Sequence, residues 1–110
     1  MEILNERNLP KREYEGYTML DALLKETDMA CVKMGKAIMR PGVRVPEAGM
    51  NHHEEDEYAY VIKGSLSTGN EAGNRSITAG DFSFIPAGMK HWSQNDSQED
   101  CELIWMMVSK

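Results

Sequence analysis

A chain of 110 residues has room for one domain, and 41% apolar residues together with nine glycines is the usual makeup of a globular protein with a real core. Twelve basic against eighteen acidic residues leave a formal charge of −6 with the cations dispersed, which argues against nucleic acid as a partner. The longest apolar runs, such as LIWMMV at 103–108, fall far short of the roughly 18 to 20 residues that span a bilayer, so no membrane role is expected. The N-terminus is charged throughout, without an apolar stretch, and the expected compartment is the cytoplasm.

Residues 1–28 are expected to form an N-terminal arm and the first strand or strands, packed on a barrel that occupies 29–110 within a single domain. In small barrels such an arm pairs with a sheet edge, in its own subunit or a neighbour's. In YTMLDALLKETD at 17–28, Met19, Leu20, Leu23 and Leu24 have helical spacing, but the turn-like KETD and the β character downstream favour a strand. ACVKMGKAIM at 30–39 reads as the next strand, and Pro41-Gly42, Pro46 and Gly49 punctuate the chain before YAYVI at 58–62. TGNEAGN at 68–74, rich in residues that tolerate positive φ, reads as a hairpin loop between strands near 65–69 and 75–78. FSFI at 82–85 and CELIWMMV at 101–108 complete the set, and short strands between regular turn signals imply an all-β sandwich or barrel. The last strand is apolar almost without interruption, which implies that both its faces are covered and points to a homodimer.

Cys31 and Cys101 form no metal-binding spacing and read as reduced core thiols, with a disulfide as the lesser alternative. The nine methionines read as core filling, with a soft pocket lining as the alternative. The denser signal lies in GMNHHEEDEYAYVIKG at 49–64. If the backbone stays extended there, Asn51, His53 and Glu57 share a face with Ala59 and Val61, while Tyr58, Tyr60 and Ile62 take the other. Imidazole and carboxylate converging inside a barrel are costly without a cation or a hydrogen-bond partner, and a metal is one natural resolution. Taken alone, HHEEDE reads as readily as a solvated acidic turn with its histidines paired to carboxylates.

His53, Glu57 and Gly64, separated by three and then six residues, resemble the first motif of the cupin superfamily, and GDFSFIPAGMKHWSQN at 80–95 resembles the second, with Gly80, Pro86, Gly88, His91 and Asn95 in place. The resemblance, to small single-domain type-2 cupins, implies a double-stranded β-helix, the jelly-roll barrel. It also implies one divalent metal held by His53, Glu57 and His91. The departure is Asn51, which stands where the motif has its first histidine; its amide oxygen is a weaker ligand, or a hydrogen-bond partner for a metal-bound water. In an alternative register a bulge makes His52 the ligand and gives Met50 the first position, where a thioether suits hard metals poorly.

Two imidazoles and one carboxylate with open positions suit Fe(II) or Mn(II), with Zn or Ni as second choices. Glu54, Glu55 and Asp56 are expected to be surface charge, although Glu55 has the parity to reach inward without motif support, and Trp92 is expected to face away from the metal. The function implied is binding of a small organic molecule at the barrel mouth, in metal-dependent dioxygenase, isomerase or lyase chemistry. The alternatives are a non-catalytic binding or sensing barrel and a barrel whose metal site has decayed at Asn51; fold alone does not choose among these.

Overall fold

In the computed structural model, which describes residues 1–110, alternation between inward and outward side chains organises ten strands into two sheets. The strands are β1 (Lys11–Tyr14), β2 (Tyr17–Glu26), β3 (Cys31–Met39), β4 (Arg44–Val45), β5 (Asp56–Lys63), β6 (Ser65–Asn70), β7 (Gly73–Thr78), β8 (Phe82–Ile85), β9 (Trp92–Gln94) and β10 (Cys101–Ser109). One sheet runs β1-β2-β3-β10-β5-β8 and the other β4-β9-β6-β7, with antiparallel neighbours throughout. This is the jelly-roll arrangement. No helix is long and apolar enough to cross a membrane.

Strand β5 shows how the sequence sets the faces. Its register pairs Val61 with Leu103, Ala59 with Trp105 and Glu57 with Met107, all toward the interior. Tyr58 and Tyr60 point the other way and meet Phe84 and Phe82 of β8, with ring centroids 5.0 and 4.5 Å apart. Such cross-strand aromatic pairs hold the edge strand to its neighbour. Between the sheets, Met39, Val61, Leu66 and Cys101 form the buried core, and Tyr17, Val43, Val45, Ile77 and Leu103 pack around it. Burial pushes the Cys101 thiol up to about 11.

Two motif residues prove to be architectural. Gly64 turns the chain from β5 to β6 at φ 80°, and a Cβ there would lie 2.4 Å from the Asp100 carbonyl oxygen. Asn95 is wholly buried: its Nδ2 donates to the carbonyls of Met39 (2.9 Å) and Glu99 (2.7 Å), and its Oδ1 accepts from the Ser97 amide (3.0 Å) and hydroxyl (2.7 Å). Every polar function of that amide is thereby satisfied, which makes its burial affordable.

Residues 17–26 are a strand, because pairing with β3 over nearly its whole length outweighs the local helical spacing. The arm forms a short 3-10 turn at Glu6–Asn8 and then β1, which covers the edge of β2, while Glu2 and Glu6 reach Lys25 and Lys36. The hairpin expected at 68–74 is tighter than its composition suggests. Strands β6 and β7 run to Asn70 and from Gly73, leaving Glu71-Ala72 as the turn, with the Asn70 Oδ1 accepting from the Ala72 amide at 2.8 Å. Of the methionines only Met39 is buried; Met19, Met89 and Met107 join it in lining the interior cavity, so the pocket-lining reading accounts for more of them than core filling does.

Candidate metal centre

The end of the barrel opposite the buried core is built by fastening two loops together. Asn51 and His91 exchange both backbone hydrogen bonds, at 2.9 and 2.8 Å, in an isolated antiparallel bridge. Next to it the Gly88 amide donates to the His53 carbonyl at 2.8 Å, and the Ala87 amide donates to the Asp56 Oδ1 at 2.9 Å. The turn after Pro86 would otherwise present amides without partners, and the segment before β5 supplies them. The two histidine-bearing segments are thus held in fixed relation by the backbone.

Within this frame each ring is oriented by its own loop. The Nδ1 of His53 lies 2.9 Å from the Glu55 carbonyl oxygen, and the Nδ1 of His91 lies 2.9 Å from that of Met89. A carbonyl only accepts, so both Nδ1 atoms carry the proton in the neutral rings and both Nε2 atoms present lone pairs. The rings meet edge to face with centroids 5.1 Å apart. The Nε2 of His53 is buried, has no hydrogen-bond partner, and faces the Glu57 Oε1 at 3.3 Å. One ligand-capable atom from each of His53, Glu57 and His91 lies within 4.8 Å of the other two. Two imidazole lone pairs and a carboxylate in that space are a donor set a divalent cation fits, and the unpartnered buried nitrogen is what a ligand atom looks like without its ion.

Asn51 lines the same cavity, and as the bridge partner of His91 it carries its side chain on the same face. His52 is exposed and lies outside the converging group. The expectation that Glu54, Glu55 and Asp56 are all surface charge holds for Glu54 alone. Glu55 lines the cavity and accepts from Lys33 Nζ at 2.8 Å, a hydrogen bond that, with the ammonium charge, holds its carboxyl below the usual range and raises the lysine. Asp56 is half-buried because the Ala87 amide needs it. Trp92 does face outward, where Gly69 leaves room for its ring and the Arg44 guanidinium lies 5.1 Å above it.

The cavity has a volume of about 1050 Å³. Its inner wall carries a row across three adjacent strands, Lys33, Met107 and Glu57, with Ala59 and Trp105 beside it. The Trp105 indole Nε1 is buried and has no acceptor among the protein groups. The sequence reading gives Asp56 only as surface charge and passes over Lys33. Asp56 had a signal in the loop amides after Pro86, which require acceptors, whereas nothing local marks Lys33 as the partner of Glu55.

The cupin-domain family profile matches residues 36–107, well over half of the chain. The chain belongs to the cupin family. Among curated proteins, this cupin is similar to the polyketide synthase CurC of Streptomyces cyaneus, at 32% identity over 72 residues that cover 66% of this chain and 46% of that protein. The chain therefore spans less than half the length of that relative. Among solved structures, an RmlC-like cupin from Shewanella frigidimarina superposes with a TM-score of 0.82 at 15% identity, over 100% of this chain and 92% of that one. KdgF from a Halomonas species gives 0.79 at 13% identity, over 100% and 96%. A variant of oxalate decarboxylase from Bacillus subtilis gives 0.75 at 21% identity, over 94% of this cupin and 28% of that chain. At these identities the likeness establishes the jelly-roll fold.

Proposed function

We propose that this cupin binds a divalent metal through His53, Glu57 and His91 and acts on a small organic molecule in the cavity above it. The observation that carries the reading is the convergence of the two imidazoles, each with its Nδ1 on a carbonyl, with the His53 Nε2 facing Glu57 and a ring nitrogen of His91 within 4.8 Å of both. Two histidines and one carboxylate favour Fe(II) or Mn(II) over zinc or nickel, since open positions and mixed nitrogen and oxygen donors are what those ions use. When bound, such an ion supplies Lewis acidity toward a substrate oxygen, which suits isomerase, lyase or dioxygenase chemistry.

The chain's own groups have defined tasks in this reading. The backbone clamps fix the separation of the histidines, Glu55 and Met89 fix their tautomers, and Asn51 stands beside His91 as a weak ligand or as a hydrogen-bond partner for one. Glu57 is a ligand and, where its second oxygen is free, a proton acceptor. Metal analysis after anaerobic purification tests the proposal: about one equivalent per chain is expected, falling to background in His91→Ala, whereas negligible metal in both proteins contradicts it. A ligand that raises the melting temperature without being converted would favour the non-catalytic binding barrel.

We also propose that the outer face of the larger sheet is covered by a second copy of the chain. Tyr58, Tyr60 and Ile62 of β5 and Phe82 and Phe84 of β8 are exposed on it, with Phe82 at 80%. This contiguous aromatic face is unusual on a free surface, and a two-fold pairing buries it against itself. Sedimentation is expected to give a dimer that Phe82→Glu dissociates.

A further inference from the structure

Three basic side chains line the cavity, and they differ in what neutralises them. The Arg12 guanidinium grips Asp21 with two hydrogen bonds, at 2.6 and 2.7 Å. Lys33 is bound to Glu55. Arg75 has neither an ion pair nor a side-chain hydrogen bond with any group of the chain, although it lines the cavity with them. The cavity's own acids are engaged elsewhere: Glu55 with Lys33, Glu57 against His53, and the Asp81 Oδ2 with the Thr78 amide at 2.8 Å.

The position of Arg75 follows from register. On β7 it alternates with Ile77, which packs on the core, so both lie on the same face of the strand, Ile77 half-buried and Arg75 exposed at the cavity's open side. Arg75 sits opposite Thr68, as Ile77 sits opposite Leu66, and Thr68 in turn pairs with Ser93 of β9, two residues from His91. Two strand spacings, about 10 Å, separate the β7 and β9 backbones, and side chains on the inward face of both strands project into the same cavity from the two sides of the smaller sheet. Arg75 is solvent-exposed on the edge strand, so an unpaired guanidinium stands at the open rim of the cavity, across the smaller sheet from the histidine pair.

The geometry points to Arg75 as the residue that selects the ligand's charge: the molecule held in the cavity is a small carboxylic acid, with one carboxylate on the Arg75 fork and its other end toward His53 and His91. A guanidinium matches a carboxylate in shape and donors, through two parallel hydrogen bonds. Arg75 supplies one positive charge without a second free cation or a helix N-terminus nearby, which suits a carboxylate better than a phosphate dianion. The inference deepens the reading of the cavity as a small-molecule site and rests on it for the location, while the carboxylate contact itself requires no metal.

Calorimetric titration of the metal-free and Zn(II)-loaded protein with malonate and succinate, against uncharged malonamide and against inorganic phosphate, tests it. Saturable binding of at least one dicarboxylate is expected in both forms, with malonamide and phosphate at least about tenfold weaker. Arg75→Gln is expected to weaken that binding about tenfold and Arg75→Lys to restore part of it, with zinc content unchanged, while Lys63→Gln, the same charge change at an exposed position outside the cavity lining, leaves it alone. No saturable dicarboxylate binding, equal affinity for malonamide or phosphate, or unaltered affinity in Arg75→Gln would overturn the assignment. Failure of the metal reading would register separately, as an absence of zinc uptake with dicarboxylate binding retained.

Discussion

At one end of the barrel Met39, Val61 and Cys101 close against Leu66, while a few residues along the same strands Lys33, Glu57 and Met107 look into an open cavity. Strands β3, β5 and β10 therefore change character along their length without changing face. The closed end satisfies every polar group it buries, Asn95 being the clearest case, whereas the open end leaves the His53 Nε2 and the Trp105 Nε1 without partners. The contrast teaches that tight packing at one end holds the strands in register, so that two loops at the other end can present uncompensated polar atoms. Unpaired buried groups cost on the order of 1–3 kcal/mol each, and only a well-packed remainder tolerates them.

The division predicts that substitutions at the closed end change stability and those at the open end change binding. The largest effect is expected from Gly64→Val, where a side chain meets the Asp100 carbonyl at a backbone angle that valine avoids; at least about 3 kcal/mol should be lost, and expression should yield insoluble protein. Asn95→Ala should cost about 3 kcal/mol in urea denaturation by stranding two carbonyls and the Ser97 donors, without altering the metal affinity per folded molecule. His91→Ala reverses the pattern: metal affinity should fall at least about a hundredfold while the melting temperature of the metal-free protein changes little. Asn51→His is expected to raise metal affinity about tenfold by placing an imidazole beside His91, and no gain would argue against Asn51 lying next to the metal. The smallest effect concerns pH. Burial raises the Cys101 thiol from 9.0 to about 11, so the folded state keeps a proton that the unfolded chain releases earlier; its contribution to stability is complete below pH 9 and lost as pH rises through about 11. Cys101→Ala should flatten that part of the wild-type stability profile.

Much of this architecture is legible in the chain. Alternation in DEYAYVIK, the apolar run of β10 and the spacing of His53, Glu57 and His91 mark the barrel and the residues that converge in it. The less legible parts depend on contacts between distant segments. Nothing around Glu55 shows that Lys33 lies two strands away, and the neighbours of Arg75 do not disclose that Arg12 and Lys33 have partners while it has none. The strand at 17–26 was ambiguous for a related reason: its leucines suit a helix locally, and only pairing with β3 decides the matter. Composition likewise overestimated the loop at 68–74, because the Asn70 side chain lets two residues complete the turn.

The central claim is that His53, Glu57 and His91 together hold a metal. Anomalous diffraction at the manganese edge, from crystals grown with Mn(II), tests it most directly. One peak per chain is expected, bonded to the Nε2 atoms of His53 and His91 and to the Glu57 carboxylate. A map without a peak there, or with the ion bound through His52 instead, would contradict the account.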